Sequence, residues 1–517
     1  MLSRGGLALL GGFLLYAGHP PLGLGPVGFV ALVPIVALAR DLQSAPIRSR
    51  FGYGLLAGML AFGPLLYWLI PFGYAAFGGL VLVESVYIGT FVTITASYGE
   101  RRGRAAFTVA AWVALEAIRG SWPLGGFGWG SLAYTQASGG PVLGVARSLG
   151  AAGVGMVLAI TAVAIEQAIA AGRASWPAAH DSDLPADAVF RAMRTPILTV
   201  LGVLSVAILI SGEAPAPSGD TTSFGIVQGG DTRATSAAGV NRIDIGRIVR
   251  VSELMLAQTR PFAADPPDVV VWPENSLDRD VRSPDGAQVR EILDQALALV
   301  APSPILAGET ADGPRPGTLL NNMTVFDSQG VAVDSYSKRR PVPFAEYVPW
   351  RSLLGDLPPL RQVPSDVLAA DAPQVLDVAG AQVGGVICFE NTFPHLARSQ
   401  VRAGADVLVV GTNNSSFGDT PMSAQHIAFS QLRAVETGRW VVHAGISGIS
   451  AFISPEGRVM QSTELFQPAA IRMDIPLIQG LTPAMRLGDA VAWLAALATL
   501  IGLGWLALDR VRGPGRS

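Results

Sequence analysis

Apolar positions are unevenly spread along this chain. They crowd into residues 1–212 and 487–517, while the stretch between alternates charged, polar and β-branched residues. A helix needs roughly 20 mostly apolar residues to cross a bilayer. Seven apolar stretches precede the middle region, near 5–16, 22–38, 53–70, 77–96, 105–118, 142–170 and 196–210, and an eighth runs near 487–508. The first is short enough to be mistaken for a signal peptide. The middle region opens with SGEAPAPSGD at 211–220, whose Pro, Gly and Ser read as a linker. Beyond it the pattern predicts strands at 224–228, 268–272, 304–308, 383–389 and 406–411. A hairpin is expected from 322–326 and 331–336 around 327–330, with helices at 243–258 and 289–299 and another ending at 401–403. Alternating β and α elements indicate a layered α/β domain. The expected organisation is a membrane domain of seven transmembrane helices (1–212), an extracytoplasmic domain (213–486), and a last helix with a short tail (487–517).

Arginine placement supplies the orientation. Arg4 precedes the first stretch; Arg40, Arg48 and Arg50 follow the second; Arg101, Arg102 and Arg104 follow the fourth. Arg173, Arg191 and Arg194 follow the sixth, and Arg510, Arg512 and Arg516 the last, whereas the connections at 18–21 and 71–76 carry no Lys or Arg. Every second connection is basic, so both termini are expected in the cytoplasm. Seven crossings then put 211–486 outside. The connection at 116–136 stands apart. Glu116 and Arg119 are three residues apart on one helix face and read either as a structural ion pair or as a lipid- or domain-facing site. Trp122, Phe127, Trp129 and Tyr134 fit an interfacial aromatic belt equally well. Glu84 is a further ionisable residue within an apolar stretch.

Composition agrees with a membrane protein: 50% hydrophobic and 15% charged residues, with mean hydropathy +0.42. With a net charge of −3 and no basic run to track phosphates, nucleic acid is not an expected partner. The chain has one cysteine, Cys388, and one lysine, Lys338; every other member of its 36 Lys+Arg is arginine. A lone thiol makes no internal disulfide, and an arginine does not replace a compact ammonium at a site built for one. A high-arginine codon bias and a cysteine-nucleophile site with a lysine beside it both account for the pair.

The surroundings of these residues bear on that choice. Cys388 closes the apolar run VGGVIC, and reactive groups of α/β domains commonly project from strand ends; a small buried hydrophobe is the alternative. Glu274 follows the run DVVVWP, where a partly desolvated carboxylate suits a general base and a surface acid in a turn is the bland alternative. Lys338 follows the hairpin, placed to stabilise an oxyanion or a thiolate, or to be a solvated charge beside Arg339 and Arg340. Glu346 lies eight positions on in the same Pro-rich loop and is a candidate to orient Lys338. Among the histidines (His19, His180, His395, His426, His443), a Cys–His dyad is the main rival pairing. No H-E-x-x-H or paired C-x-x-C is present, so no metal or other cofactor is expected.

Three segments, WPEN with Glu274, YSK with Lys338 and VICFE with Cys388, together resemble the nitrilase superfamily. That resemblance implies a Glu–Lys–Cys triad on an α-β-β-α sandwich. The full arrangement, a multi-pass α-helical membrane domain joined to a nitrilase-like domain, resembles the apolipoprotein N-acyltransferase family. EAIRG, GGFGWG, PVPFAE, GTNNSSFGDT, Gln425 with His426, and RAVETGR extend the likeness over nearly the whole chain. It implies Glu274, Lys338 and Cys388 as catalytic residues, with Glu346, Phe389 and Glu390 in support. It also implies Asn413, Ser416 and Phe417 as substrate or loop contacts. A membrane phospholipid as acyl donor, a diacylated apolipoprotein as acceptor and the bacterial plasma membrane as location follow from the same likeness. Departures from the family pattern are Ser416 for a common tryptophan, Phe389 for a tyrosine, Arg340 and Pro341 for His-Leu, Ala345 for glycine, and no tryptophan soon after 227–231. They spare the triad and bear on how the acyl chain or acceptor peptide is held. A membrane-tethered amidase or nitrilase-type hydrolase uses the same triad, and a binding protein with a dead site is the non-enzyme alternative.

Overall fold

The computed structural model describes residues 2–181, 187–232, 245–358 and 360–512. Arg516 and the expected helix start at 243–244 lie outside them. The chain forms two compact units, Met1–Glu213 with Arg486–Ser517, and Ala214–Met485.

The first unit is helical. Its helices are α1 (Arg4–Ala17), α2 (Val33–Asp41), α3 (Ile47–Leu65), α4 (Tyr74–Tyr98), α5 (Arg104–Arg119), α6 (Val145–Asp181) and α7 (Asp187–Ile210), joined by the C-terminal helix Ala490–Arg512. Among the described residues, four helical segments have the length and composition to cross a bilayer: Tyr74–Tyr98, Val145–Ser175, Phe190–Ile210 and Ala490–Val511. The stretch at 22–38 is not one helix. Gly23, at φ 58°, and Pro26 divide it into a turn, the 3-10 segment Gly25–Phe29 and the nine-residue α2.

Arg119 does not pair with Glu116. Its guanidinium meets Glu84 of α4 at 2.6 Å and donates to the carbonyls of Phe127 (3.2 Å) and Trp129 (2.6 Å). Glu116 accepts instead from the backbone N–H of Leu132 at 2.8 Å. His19 bridges the carbonyls of Leu15 and Ser131, and Tyr87 donates to the Trp122 carbonyl. The Gly-rich connection after α5 therefore owes its shape to side chains from several helices, which satisfy backbone groups that no regular element serves. Trp129 and Tyr134 are buried within the unit and half-buried Phe127 stacks on Trp129 at 5.7 Å, so of the four only Trp122 is exposed as an aromatic belt requires.

The second unit is an α-β-β-α sandwich. One sheet has the order β13-β1-β2-β3-β4-β5, with β6 beside β4; the other has the order β12-β11-β10-β9-β8-β7. The strands are β1 (Pro217–Gln228), β2 (Val269–Leu277), β3 (Ile305–Asp312), β4 (Thr318–Phe326), β5 (Ala332–Ser337), β6 (Asp366–Val367), β7 (Val375–Val378), β8 (Ala381–Ile387), β9 (Val407–Thr412), β10 (Val441–Gly445), β11 (Ala451–Ile453), β12 (Val459–Ser462) and β13 (Ala469–Ile478). Helices α8 (Ile245–Thr259) and α9 (Ala287–Val300) cover one sheet, and α10 (Pro394–Arg402) and α11 (Met422–Thr437) the other. The two-residue period of a strand explains the layering. Val269 and Val271 face the core between the sheets with Val383, Val407 and Val409, while Val270 and Trp272 face α8 and α9. Both faces are buried, which is why DVVVW reads as a continuous apolar run.

The expected 322–326/331–336 hairpin is present as β4 and β5. Two expectations change. The last four linker residues (217–220) belong to β1, paired with β13 across a register shift between Pro217 and Thr221. Strand β2 does not stop at Pro273 but runs on to Leu277.

Candidate active site

The site assembles where β2, β4, β5, β8 and β9 end or bend. Strands β2 and β3 pair in parallel as far as Trp272 with Ala307, and pairing resumes only at Leu277 with Glu309. Pro273 has no N–H for the ladder, so the strand bulges here. Without the bulge Glu274 would share the helix-facing side of Val270 and Trp272; with it, the carboxylate reaches the opposite side. Asn275 follows at φ 59°, a conformation that asparagine tolerates better than most residues. Gly308 on β3 makes room, since a Cβ there would lie 2.5 Å from Glu274 Cα. Gly308→Ala should therefore push the bulge away, lowering stability by about 1–3 kcal/mol, the usual cost of overpacking. The thermal unfolding temperature should fall accordingly.

Lys338 is the first residue after β5. Its N–H donates to the Asn321 carbonyl of β4 at 2.8 Å, and its side chain is fully buried. Nζ lies 2.7 Å from Glu346 Oε1 and 3.1 Å from Glu274 Oε1. Asn321 Nδ2 donates to the same two oxygens, at 2.8 Å to Glu274 and 3.2 Å to Glu346. Glu274 Oε2 accepts from the Asn413 N–H at 2.9 Å, and Glu346 Oε2 from the Val342 N–H at 2.7 Å. Burial alone would push Lys338 toward its neutral form, but Glu274 and Glu346 outweigh it and hold the ammonium well above the ordinary lysine value.

Strand β8 stops at Ile387, short of the expected 389, and Cys388 opens the 3-10 turn Cys388–Thr392 at φ 52°, a left-handed conformation rare for a residue with a Cβ. It is half-buried. Burial, then the negative charge of Glu274, push its thiol well above the ordinary value, while Lys338 pulls the other way. The resting group is thus a neutral thiol beside a carboxylate rather than a preformed thiolate.

Glu390 ties the two arms together. It accepts from the Ile387 N–H (2.7 Å) just before the cysteine, and from the Arg339 (2.6 Å) and Arg340 (3.1 Å) N–H groups just after the lysine. Tyr336 Oη also donates to it, at 2.9 Å to the nearer oxygen. Gly385 makes space for that ring, since a Cβ there would lie 2.7 Å from Tyr336 Cδ1. Burial raises the Glu390 pKa against the pull of these donors and of Lys338.

The remaining predicted residues are more dispersed. Asn413 Nδ2 donates to Asn275 Oδ1 at 3.1 Å, which locks the loop after β9 to the β2 bulge. Ser416 is exposed and Phe417 half-buried in the 3-10 turn Ser415–Phe417. Phe389 packs edge-on against Phe393 at 5.0 Å. The rival Cys–His pairing takes a different form: His426 Nε2 lies 2.9 Å from the Cys388 carbonyl, and His443 Nδ1 lies 2.8 Å from Ser430 Oγ. Among the described residues, no group of three or more His, Cys, Asp or Glu is placed to hold a metal ion.

Sequence reasoning missed Asn321 and Tyr336. A signal existed for the first: Asn321 shares the strand face of Met323 and Val325, so it is the position where an inward apolar stripe turns polar.

Comparison with known proteins agrees with this architecture. The fold is that of a carbon-nitrogen hydrolase domain, and residues 254–478 match the Carbon-nitrogen hydrolase family profile. Residues 11–164 match the profile of the Apolipoprotein N-acyltransferase N-terminal domain. An apolipoprotein N-acyltransferase of Mycolicibacterium smegmatis is 32% identical over 513 residues, covering 96% of this chain and 84% of the relative. One from Geobacter metallireducens is 28% identical over 504 residues, covering 94% and 92%. Among solved structures, the amidase from Nesterenkonia sp. AN1 in complex with butyramide aligns at TM-score 0.36 and 16% identity, over 54% of this chain and 97% of the amidase. The chain belongs to the apolipoprotein N-acyltransferase family. It is an acyltransferase and a bacterial membrane protein.

Proposed function

We propose that this enzyme moves a fatty acyl chain from a membrane phospholipid to the α-amine of diacylglyceryl-cysteine at the N-terminus of an apolipoprotein. The observation that carries the reading is the fully buried Lys338 ammonium, held by Glu274 and Glu346 beside the only thiol of the chain. Glu274 takes the Cys388 proton as Sγ attacks the ester carbonyl of the phospholipid. The tetrahedral oxyanion is stabilised by Lys338 and by main-chain N–H groups at the strand end. Its collapse forms the thioester; the lysophospholipid leaves with the proton returned by Glu274. The amine of the acceptor then attacks the thioester, Glu274 takes the amine's proton, and Cys388 is released as the thiol while an amide forms. Glu346, Glu390 and Asn413 hold these groups in place. Phe389, Ser416 and Phe417 are the nearby positions for substrate contact.

Both substrates are anchored in lipid, so an enzyme anchored beside them meets them by lateral diffusion alone. The alternation of arginine-rich connections supports a domain at 213–486 outside the plasma membrane, between membrane segments at 1–212 and 487–517, with both termini in the cytoplasm. Mass spectrometry of protein purified from membranes tests the chemistry. An acyl adduct is expected on the peptide containing Cys388, and it should transfer to a diacylated lipopeptide on addition. An adduct elsewhere, or none, would overturn the assignment. Rapid loss of the adduct to water without an amine would favour the hydrolase reading instead.

A further inference from the structure

The left-handed conformation of Cys388 is held from both sides of the chain. Glu390 takes the N–H before it, and Thr392 Oγ1 donates to the Phe389 carbonyl at 2.8 Å. On the other side α11 brings His426 Nε2 to 2.9 Å from the Cys388 carbonyl. A carbonyl only accepts, so this nitrogen carries the hydrogen. The ring is wholly buried, and burial pushes its pKa down to about 4, against the opposing effects of the Cys388 hydrogen bond and of Glu274; Lys338 pushes the same way as burial. At neutral pH the ring is therefore uncharged.

His426 is itself fixed. Its carbonyl accepts from Asn391 Nδ2 at 3.3 Å, and the same nitrogen donates to Ser430 Oγ at 2.9 Å. Ser430 Oγ in turn meets His443 Nδ1 at 2.8 Å. All four side chains are buried.

We infer that His426 is a positioning residue for acyl transfer: its Nε2–H pins the Cys388 carbonyl and so sets the plane of the Cys388–Phe389 peptide. In a trans peptide the C=O and the following N–H point in opposite directions. Anchoring the carbonyl on α11 thus turns the Phe389 N–H away from α11 and fixes the direction of a main-chain donor for the proposed oxyanion site. The inference rests on Cys388 being the nucleophile.

The test compares His426→Phe, which keeps a ring without the donor, with His426→Gln, which keeps a donor at similar reach. Two rates are read for Cys388: acylation by phospholipid, and alkylation by iodoacetamide, which forms no oxyanion. His426→Phe should slow acylation by about 10²-fold, the scale of a lost oxyanion donor, and leave alkylation nearly unchanged. His426→Gln should recover most of the acylation rate. Equal loss of both rates in His426→Phe, wild-type acylation in that variant, or acylation in His426→Gln as slow as in His426→Phe would each overturn the inference. A wild-type protein that acquires no acyl group on Cys388 would instead overturn the assignment of the nucleophile. If His426→Phe does not fold, nitrogen NMR of histidine-labelled wild-type protein decides: a protonated Nε2 supports the proposal, and a protonated Nδ1 with bare Nε2 refutes it.

Discussion

Glu274→Gln should lower the rate of acyl-Cys388 formation by about 10²–10⁴-fold, the range of a lost general base, while making the thiol more acidic. The two effects have one origin. In the proposed mechanism the carboxylate accepts the thiol proton, and its negative charge is also, after burial, a cause of the raised thiol pKa. Glutamine keeps the size and one acceptor but neither the charge nor the basicity. The alkylation rate of Cys388 followed against pH should therefore rise at lower pH in the variant than in wild type, even as acyl transfer from phospholipid collapses. A variant that acylated normally would remove Glu274 from the proton transfer. A thiol titration that moved upward would contradict the electrostatic account.

Lys338→Met and Lys338→Arg should both be nearly inactive, for different reasons. Methionine leaves Glu274 and Glu346 without the ammonium between them, and breaking a buried ion pair from one side costs about 3–5 kcal/mol. Removing Lys338 also removes the influence that lowers the thiol pKa, so alkylation should shift to higher pH, opposite to Glu274→Gln. Arginine keeps the charge but brings a wider planar group into a position with no exposed surface. A loss of about 10²–10³-fold is expected from a displaced oxyanion donor. Stability should follow pH accordingly. The folded lysine pKa is raised, so the ammonium's contribution is fully present below its unfolded value of about 10.4 and is lost as pH rises through the folded value. Wild-type melting temperature should thus fall in the alkaline range by a component that Lys338→Met lacks. Lys338→Arg with wild-type activity would show that the site needs only a positive charge.

How much of this was legible beforehand depends on how local each signal is. Cys388 and Glu274 each close or follow a short apolar run and Lys338 follows a hairpin, so strand ends could be read from neighbours along the chain. Partners that arrive across strands could not be read that way. Asn321 reaches Glu274 over 47 positions, and Tyr336 reaches Glu390 over 54. The Glu116–Arg119 spacing suggested a pair on one helix, but Glu84 of α4 wins because it meets Arg119 inside the unit where Glu116 turns to a backbone N–H. Pro273 was read as the end of a strand because proline removes a ladder hydrogen bond. It removes one bond and bends the strand, yet β2 continues, and the bend is what aims Glu274. Residues 22–38 were joined into one span although the signals that divide it, Gly23 and Pro26, are local ones. Blindness to long-range packing left open whether His426 served the thiol; its ring nitrogen lies against the main chain of the cysteine.

Glu390 accepts hydrogen bonds from both sides of the reaction centre, one residue before Cys388 and one and two residues after Lys338. That makes residues 336–340 and 387–390 a single unit of inheritance for anyone recombining this domain with a relative. A chimera with a crossover between them should keep both arms from one parent. Exchanges confined to 347–358 and 414–421 would leave in place Glu346 and Asn413, which hold Lys338 and Glu274.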